Sequence, residues 1–177
     1  IPMINRWSID EDITTLVESV LKSPPLNSIH PNYVNAPNPV YKYKVIKGRR
    51  LYECDDNEDL MLYVMSDDIK ETPKDSCHFL CECFVSIGVV RRKDIYISDF
   101  NTIKSALTLF FGASGMEFMH MSLYDKAGNV INNARLGNFG ISKVAIQSSR
   151  KASDKCGVFT FELLVKFSIY FNKFQQT

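Results

Sequence analysis

The densest group of reactive side chains is Cys77-His78-x-x-Cys81-x-Cys83, four potential soft or imidazole ligands within seven residues. A structural zinc ion takes four such ligands at tetrahedral corners, ordinarily as two pairs from separate knuckles. No second pair accompanies this one, because Cys54 and Cys156 stand alone. On a strand, Cys81 and Cys83 project to the same side as Val85 and Ile87, so they read as small apolar core side chains. Five cysteines, three of them crowded together, make a poor disulfide framework and suit a reducing compartment.

Nucleophilic catalysis needs a base and an orienting acid around a thiol or hydroxyl. The histidines are His30, His78 and His120, and His120 lies between Met119 and Met121 in an apolar stretch, where a core histidine is the commoner case. Asp67-Asp68 offers paired carboxylates, but inside a loop already rich in acids. Gly112-Ala-Ser-Gly115 is too short to cradle a phosphate. No nucleophile elbow, Walker loop, His-Glu-x-x-His or dinucleotide fingerprint occurs. No enzyme activity, cofactor, catalytic set or metal site is expected.

Charge says more. The 177 residues hold 21 Lys and Arg against 20 Asp and Glu, a net of +1, which excludes a bulk polycation. The charges are nevertheless sorted along the chain. Between Tyr41 and Tyr52, Lys42, Lys44, Lys47, Arg49 and Arg50 meet no acid. Between Glu53 and Asp75, nine acids face only Lys70 and Lys74. From Lys126 onward, eight cations, among them Arg150, Lys151 and Lys155, face Asp154 and Glu162. Such polarity lets copies pair head to tail, or lays a basic end on an acidic surface, unless the blocks neutralise one another within the fold. Lysines interleaved with tyrosines at Tyr41-Lys-Tyr-Lys44 also suit single-stranded nucleic acid, although both tyrosines share the face opposite the lysines.

The elements that must carry these groups follow from periodicity. Ser8-Ile9-Asp10-Glu11 reads as a capping box, with Ile9, Ile13, Leu16, Val17, Val20 and Leu21 on one helical face and Pro24-Pro25 as the stop. Five of seven prolines fall between Ser23 and Val40, with four asparagines, so this segment is an extended strap. As a linker it joins the helix to the rest; as an arm it docks on a neighbour, since a restricted backbone loses less entropy on binding.

Val40–Val45 alternates as a strand, Leu60–Met65 is a short strand or a helical turn, and Asp67–Ser76 is a polar loop. Phe79–Val90 is a long strand. Ile95–Ile97 extends briefly before a helix that Ser98 or Asp99 caps, whose stripe is Phe100, Ile103, Ala106, Leu107, Phe110 and Phe111, ending at Gly112 and Gly115. Met116–Tyr124 extends into a turn at 125–129, and 131–140 is loop. Phe139–Gln147 is a strand, Ser148–Gly157 a basic loop, and Phe159 to Phe171 the clearest strand. The expected fold is α+β: a mostly antiparallel sheet with two packed helices, preceded by a proline-rich strap, organised as 1–39 (helix and strap) and 40–177 (globular domain).

From Phe84 the order of pieces resembles the matrix proteins of rhabdoviruses. An aromatic-led strand runs into an arginine-bearing turn, Phe84-Val-Ser-Ile-Gly-Val-Val-Arg-Arg92, followed by Ile95-Tyr-Ile97 and the helix Asp99-Phe-Asn-Thr-Ile-Lys-Ser-Ala-Leu107. The late strand Phe159-Thr-Phe-Glu-Leu-Leu-Val-Lys-Phe-Ser-Ile-Tyr170 is similar to the family's alternating strand, and the length suits small matrix proteins of plant-infecting members such as cytorhabdoviruses. The resemblance spans about half the chain and is one of pattern. It implies a virion protein, found also in host cytoplasm and at the membrane surface, that binds itself, the viral nucleocapsid and the anionic inner leaflet, with RNA as a further partner. It makes Pro24, Pro25, Leu26, Pro31, Tyr33 and Pro37 the self-association segment. The family's Pro-Pro-x-Tyr is replaced by Pro24-Pro25-Leu26-Asn27, and its lysine-rich tail has no counterpart, so membrane or nucleocapsid contact falls to Lys42, Lys44, Lys47, Arg49, Arg50, Arg150, Lys151 and Lys155. A viral single-stranded nucleic-acid-binding or movement-type protein is the alternative.

Overall fold

A computed structural model describes residues 4–21, 44–47, 60–92, 97–112, 121–124, 130–134, 140–153 and 158–172. Helix α1 (Ile9–Leu21) follows a single 3-10 turn (Arg6–Ser8). Its apolar stripe is the one periodicity predicts: Ile9, Ile13, Leu16, Val17, Val20 and Leu21 are all buried. The start differs from the expected capping box. Asp12, not Glu11, reaches back, its Oδ2 accepting from the Asn5 amide and the Ser8 hydroxyl, both at 2.9 Å. The 3-10 turn moves the free amides one step upstream, so the acid one turn into the helix is the one in range.

Five strands form the main sheet in the order β1 (Lys44–Lys47), β2 (Leu60–Pro73), β3 (His78–Arg92), β7 (Val158–Asn172), β6 (Ile141–Ser153). β1 runs parallel to β2, and every other neighbour is antiparallel. Helix α2 (Ile97–Phe111) and a separate hairpin, β4 (Met121–Tyr124) with β5 (Val130–Ala134), complete the α+β fold. Both helices contribute to one apolar cluster with Leu62 and Val64 of β2, the alternate residues Phe79–Val89 of β3 and Phe161–Phe171 of β7, and Ile141 and Val144 of β6. That period-two pattern is what puts one face of the sheet under the helices.

The structure corrects further sequence expectations. Asp67–Ser76 is not a loop: β2 continues to Pro73, paired with β3, and only Lys74–Cys77 turn. β1 covers β2 only from Met61 to Val64, so Ser66–Pro73 forms a sheet edge, where polar residues and a proline are tolerated. Ser148–Ser153 likewise belongs to β6, an edge strand whose residues Gln147–Lys151 are exposed. Val130–Ala134 is β5, not loop. α2 begins at Ile97, before the expected caps, so Ile97 is helical rather than extended. Finally, Arg91 and Arg92 are not a turn: they pair with Phe159 and Val158 as the end of β3. The proline-rich strap, with Pro24, Pro25, Leu26, Pro31, Tyr33 and Pro37, lies outside the described residues, as do Val40–Tyr43 of the expected first strand.

On the sheet's second face, Tyr63 lies across its neighbour Gly88, and its hydroxyl donates to Glu162 Oε2 at 2.5 Å. Register lines up Tyr63, Gly88, Glu162 and Arg150 in one row across β2, β3, β7 and β6. Lys166 and Glu82, 3.1 Å apart, brace the same face nearer the β2–β3 turn.

Candidate functional site

The strand order separates the basic residues that the sequence groups as candidates. β1 and β6 are the two outer strands of the sheet. Four inter-strand steps of ~4.8 Å place them roughly 19 Å apart. At the β1 edge, Lys44 pairs in register with Met61, while the Lys47 ammonium is drawn onto helix α1, where it is paired with Glu11 and donates to Thr15 Oγ1 at 3.2 Å. Lys47 therefore ties β1 to α1. Lys42, Arg49, Arg50 and Lys155 lie outside the described residues.

At the other edge, β6 carries Lys143, Arg150 and Lys151 and no acid over thirteen residues. Adjacent strand residues point to opposite faces, and the register shows the consequence. Arg150 sits opposite Glu162 on the second face, its Nη2 3.8 Å from the carboxylate. Lys151 sits opposite Phe161 on the helix face, where α2 brings Lys104 against it. The Lys104 ammonium is held below the ordinary lysine range, first by its hydrogen bond with Lys151, then by slight burial and repulsion from that charge. Two amines this close repel one another, and an anion lying between them would relieve that repulsion. Lys104 and Lys143 were not among the sequence candidates. Lys104 becomes Lys151's neighbour only through the packing of α2 on β6, which no local pattern encodes.

Opposite charge occupies the distal half of β2, where Asp67, Asp68, Glu71 and Lys70 are exposed. A β-bulge falls between Ser66 and Asp68. The Asp68 carboxylate accepts from the Ile69 amide at 2.8 Å.

Beside this edge, a cavity of about 340 Å³ is lined by Arg6, Glu71, Pro73 and Phe79. The Arg6 guanidinium lies 4.1 Å from the Phe79 ring centroid and 4.8 Å from that of Trp7, a cation held between two aromatic faces. Its Nε stands 3.7 Å from Glu71, beyond hydrogen-bonding range. The cleft can grip a flat or apolar group beside the Glu71 carboxylate.

The cysteine group divides. Cys81 and Cys83 are buried in the core, and burial is the main cause pushing their thiols up, to about 11 and about 12, so both stay protonated at neutral pH. Cys77 is half-buried in the β2–β3 turn. There Asp75 Oδ1 accepts from the Cys77 and His78 amides, both at 2.7 Å, and lies 3.1 Å from His78 Nδ1. Among the described residues, no three His, Cys, Asp or Glu side chains converge as metal ligands. His30 and His120 lie outside them.

Under native conditions, a thiol alkylator read by peptide mapping should modify Cys77 and spare Cys81 and Cys83, which react only once the chain is denatured. The amide bonds from Cys77 and His78 hold the Asp75 carboxyl below its ordinary range. A depressed carboxyl favours the fold above its unfolded pKa, and that contribution fades as pH falls through the lower folded value. Protection of the Cys77 and His78 amides, measured as hydrogen exchange relative to the intrinsic rate at each pH, should therefore hold at neutral pH and fall in acid, and Asp75→Ala should remove it at every pH.

No helix among the described residues is long and apolar enough to cross a membrane. No protein-family model and no curated protein matches the chain. Among solved structures, a chain of the "Virion of native gene transfer agent (GTA) particle" is similar over 89% of this chain and 92% of its own, with a TM-score of 0.48 and 8% identity. A likeness of that degree bears on neither function nor assembly.

Proposed function

We propose that this chain is a non-enzymatic viral matrix protein that self-associates, condenses the nucleocapsid and links it to the anionic inner leaflet of the envelope. The observation that carries the reading is the sorting of exposed charge onto opposite sides of one helix-backed sheet, Lys143 and Lys151 of β6 on one side, with the half-buried Lys104 of α2 beside Lys151, and Asp67, Asp68 and Glu71 on the other. Adhesion of this kind needs many weak, salt-screened contacts and no reaction centre. The rhabdovirus-like order of strand, helix and late strand supports the same reading.

Co-sedimentation with vesicles tests it. The full chain should pellet with phosphatidylserine vesicles and not with phosphatidylcholine vesicles, with affinity falling as salt rises. Lys104→Gln with Lys151→Gln should weaken that binding by about thirtyfold, at ~1 kcal/mol per cation near an anionic surface. Binding to single-stranded RNA without any vesicle binding would favour the nucleic-acid-binding alternative.

A further inference from the structure

We propose that the outer side of helix α2 is the surface this chain lays on an anionic membrane, with Leu109 entering the lipid interface and Lys104 and Lys151 meeting the headgroups beside it. The inference rests on the membrane part of the proposed function and names the residues that make the contact.

Three observations lead to it. First, the outer side of α2 is uncovered. Burial of Leu107, Phe110 and Phe111 turns Ser105, Thr108 and Leu109 outwards, and all three are exposed. Leu109, at 77%, is the most exposed large hydrophobic side chain among the described residues. Second, the polar group next to it is already satisfied. The Thr108 hydroxyl donates to the Lys104 carbonyl at 2.8 Å, so lipid can cover it without orphaning that donor. Third, the charge around Leu109 has one sign. Lys104 and Lys151 approach each other beside the helix, where their repulsion favours an anion between them. β6 has no acid, and α2 has only Asp99, ten residues before Leu109 and so roughly 15 Å back along the axis.

The place of α2 in the fold suits this contact. It packs over β3, β7 and the outer strand β6, whereas α1, which carries Asp10, Glu11, Asp12 and Glu18, packs over β1, β2 and β3. A flat anionic surface meeting the β6 side of the molecule therefore touches α2 and leaves the acids of α1 away from it. An aliphatic side chain standing among cations is what an interfacial helix presents to lipid, and lysines reach headgroups while their stems lie along the boundary. Nucleic acid fits this face less well. The exposed residues Asn101, Ser105, Thr108 and Leu109 include no ring on which a base could stack, and a leucine gains nothing from a phosphate backbone.

Co-sedimentation of the full chain with phosphatidylserine vesicles, now with variants at an uncharged position, tests this. Leu109→Ala should weaken binding by about tenfold, because most of an inserted aliphatic side chain is lost. Its thermal melt should stay close to that of the wild-type chain, since the side chain is exposed in the free protein. Ile69→Ala, a like truncation at a side chain 38% exposed on the acidic edge of β2, should leave binding unchanged. A second readout uses Trp7→Phe to remove the chain's single tryptophan. In that background, the emission of Leu109→Trp should shift to the blue on vesicles and be quenched by brominated acyl chains. If the wild-type chain binds but Leu109→Ala binds equally well, or the indole at position 109 stays in water, the α2 contact is wrong while the membrane reading stands. A Leu109→Ala loss seen in self-association and not in vesicle binding would assign the same surface to a second copy and overturn the inference. A wild-type chain that ignores anionic vesicles would overturn the membrane reading as well.

Discussion

Gly88→Ala should destabilise the fold by about 3 kcal/mol, the upper part of the range for forcing atoms into a packed interior. A Cβ at position 88 would stand 2.2 Å from Cε1 and Cζ of Tyr63 and 2.4 Å from its hydroxyl. Tyr63 is fully buried between flanking strands and anchored on Glu162, so the ring can escape only by giving up both its packing and its hydrogen bond. The requirement at Gly88 is thus one of space above a flat strand. Urea denaturation provides the measurement, and Tyr63→Ala provides the control. With the ring removed, the added methyl meets nothing it met before, so the double variant should lose clearly less than the two single losses combined. Equal additivity would show that the ring does not lie over the glycine.

Leu16→Ala should cost about 3 kcal/mol, within the span measured for leucines truncated in a close-packed core. Leu16 is fully buried at the middle of the α1 stripe, among the residues that seat the helix on β2 and β3. At this chain length each kcal/mol moves the melting temperature by roughly 2–4 °C, so the loss is readily seen in a thermal melt. Leu109→Ala is the matching contrast. Leu109 is 77% exposed on α2. Its truncation should stay within about 0.5 kcal/mol. A large effect at Leu109 would mean that the outer side of α2 is covered in solution.

The contrast between these two leucines shows what a sequence of this kind discloses. α1, β3 and β7 are legible because each buries one face continuously, and burial imposes a period of 3.6 or 2 that survives in the residue order. Cys81 and Cys83 read correctly as core side chains for the same reason. The distal half of β2 and the second half of β6 read as loops because they are edges: Asp67–Glu71 and Gln147–Lys151 are exposed, nothing demands alternation, and their hydrogen bonds come from β3 and β7 far along the chain. The end of β2 was further disguised by Pro73, which an outer strand accepts.

The candidate site was legible in part. The blocks of charge are visible in the residue order, but their arrangement depends on a strand order that departs from chain order, β7 standing between β3 and β6. That order carries Lys44 and Lys47 to one edge and Arg150 and Lys151 to the other, and strand alternation then divides Arg150 from Lys151. The Lys47 pairing with Glu11 spans 36 positions, and the Lys104–Lys151 approach spans 47 (from 104 to 151), so neither has a local signature.

Charge-driven adhesion between folded copies and towards anionic neighbours is the proposed mode of action. Sedimentation velocity across a concentration series, run in low and in high salt, addresses it most directly. Oligomers that grow with concentration in low salt and dissolve as salt rises, with the fold unchanged by circular dichroism, are the predicted result. A single monomeric species at every concentration in low salt, or oligomers indifferent to salt, would contradict it.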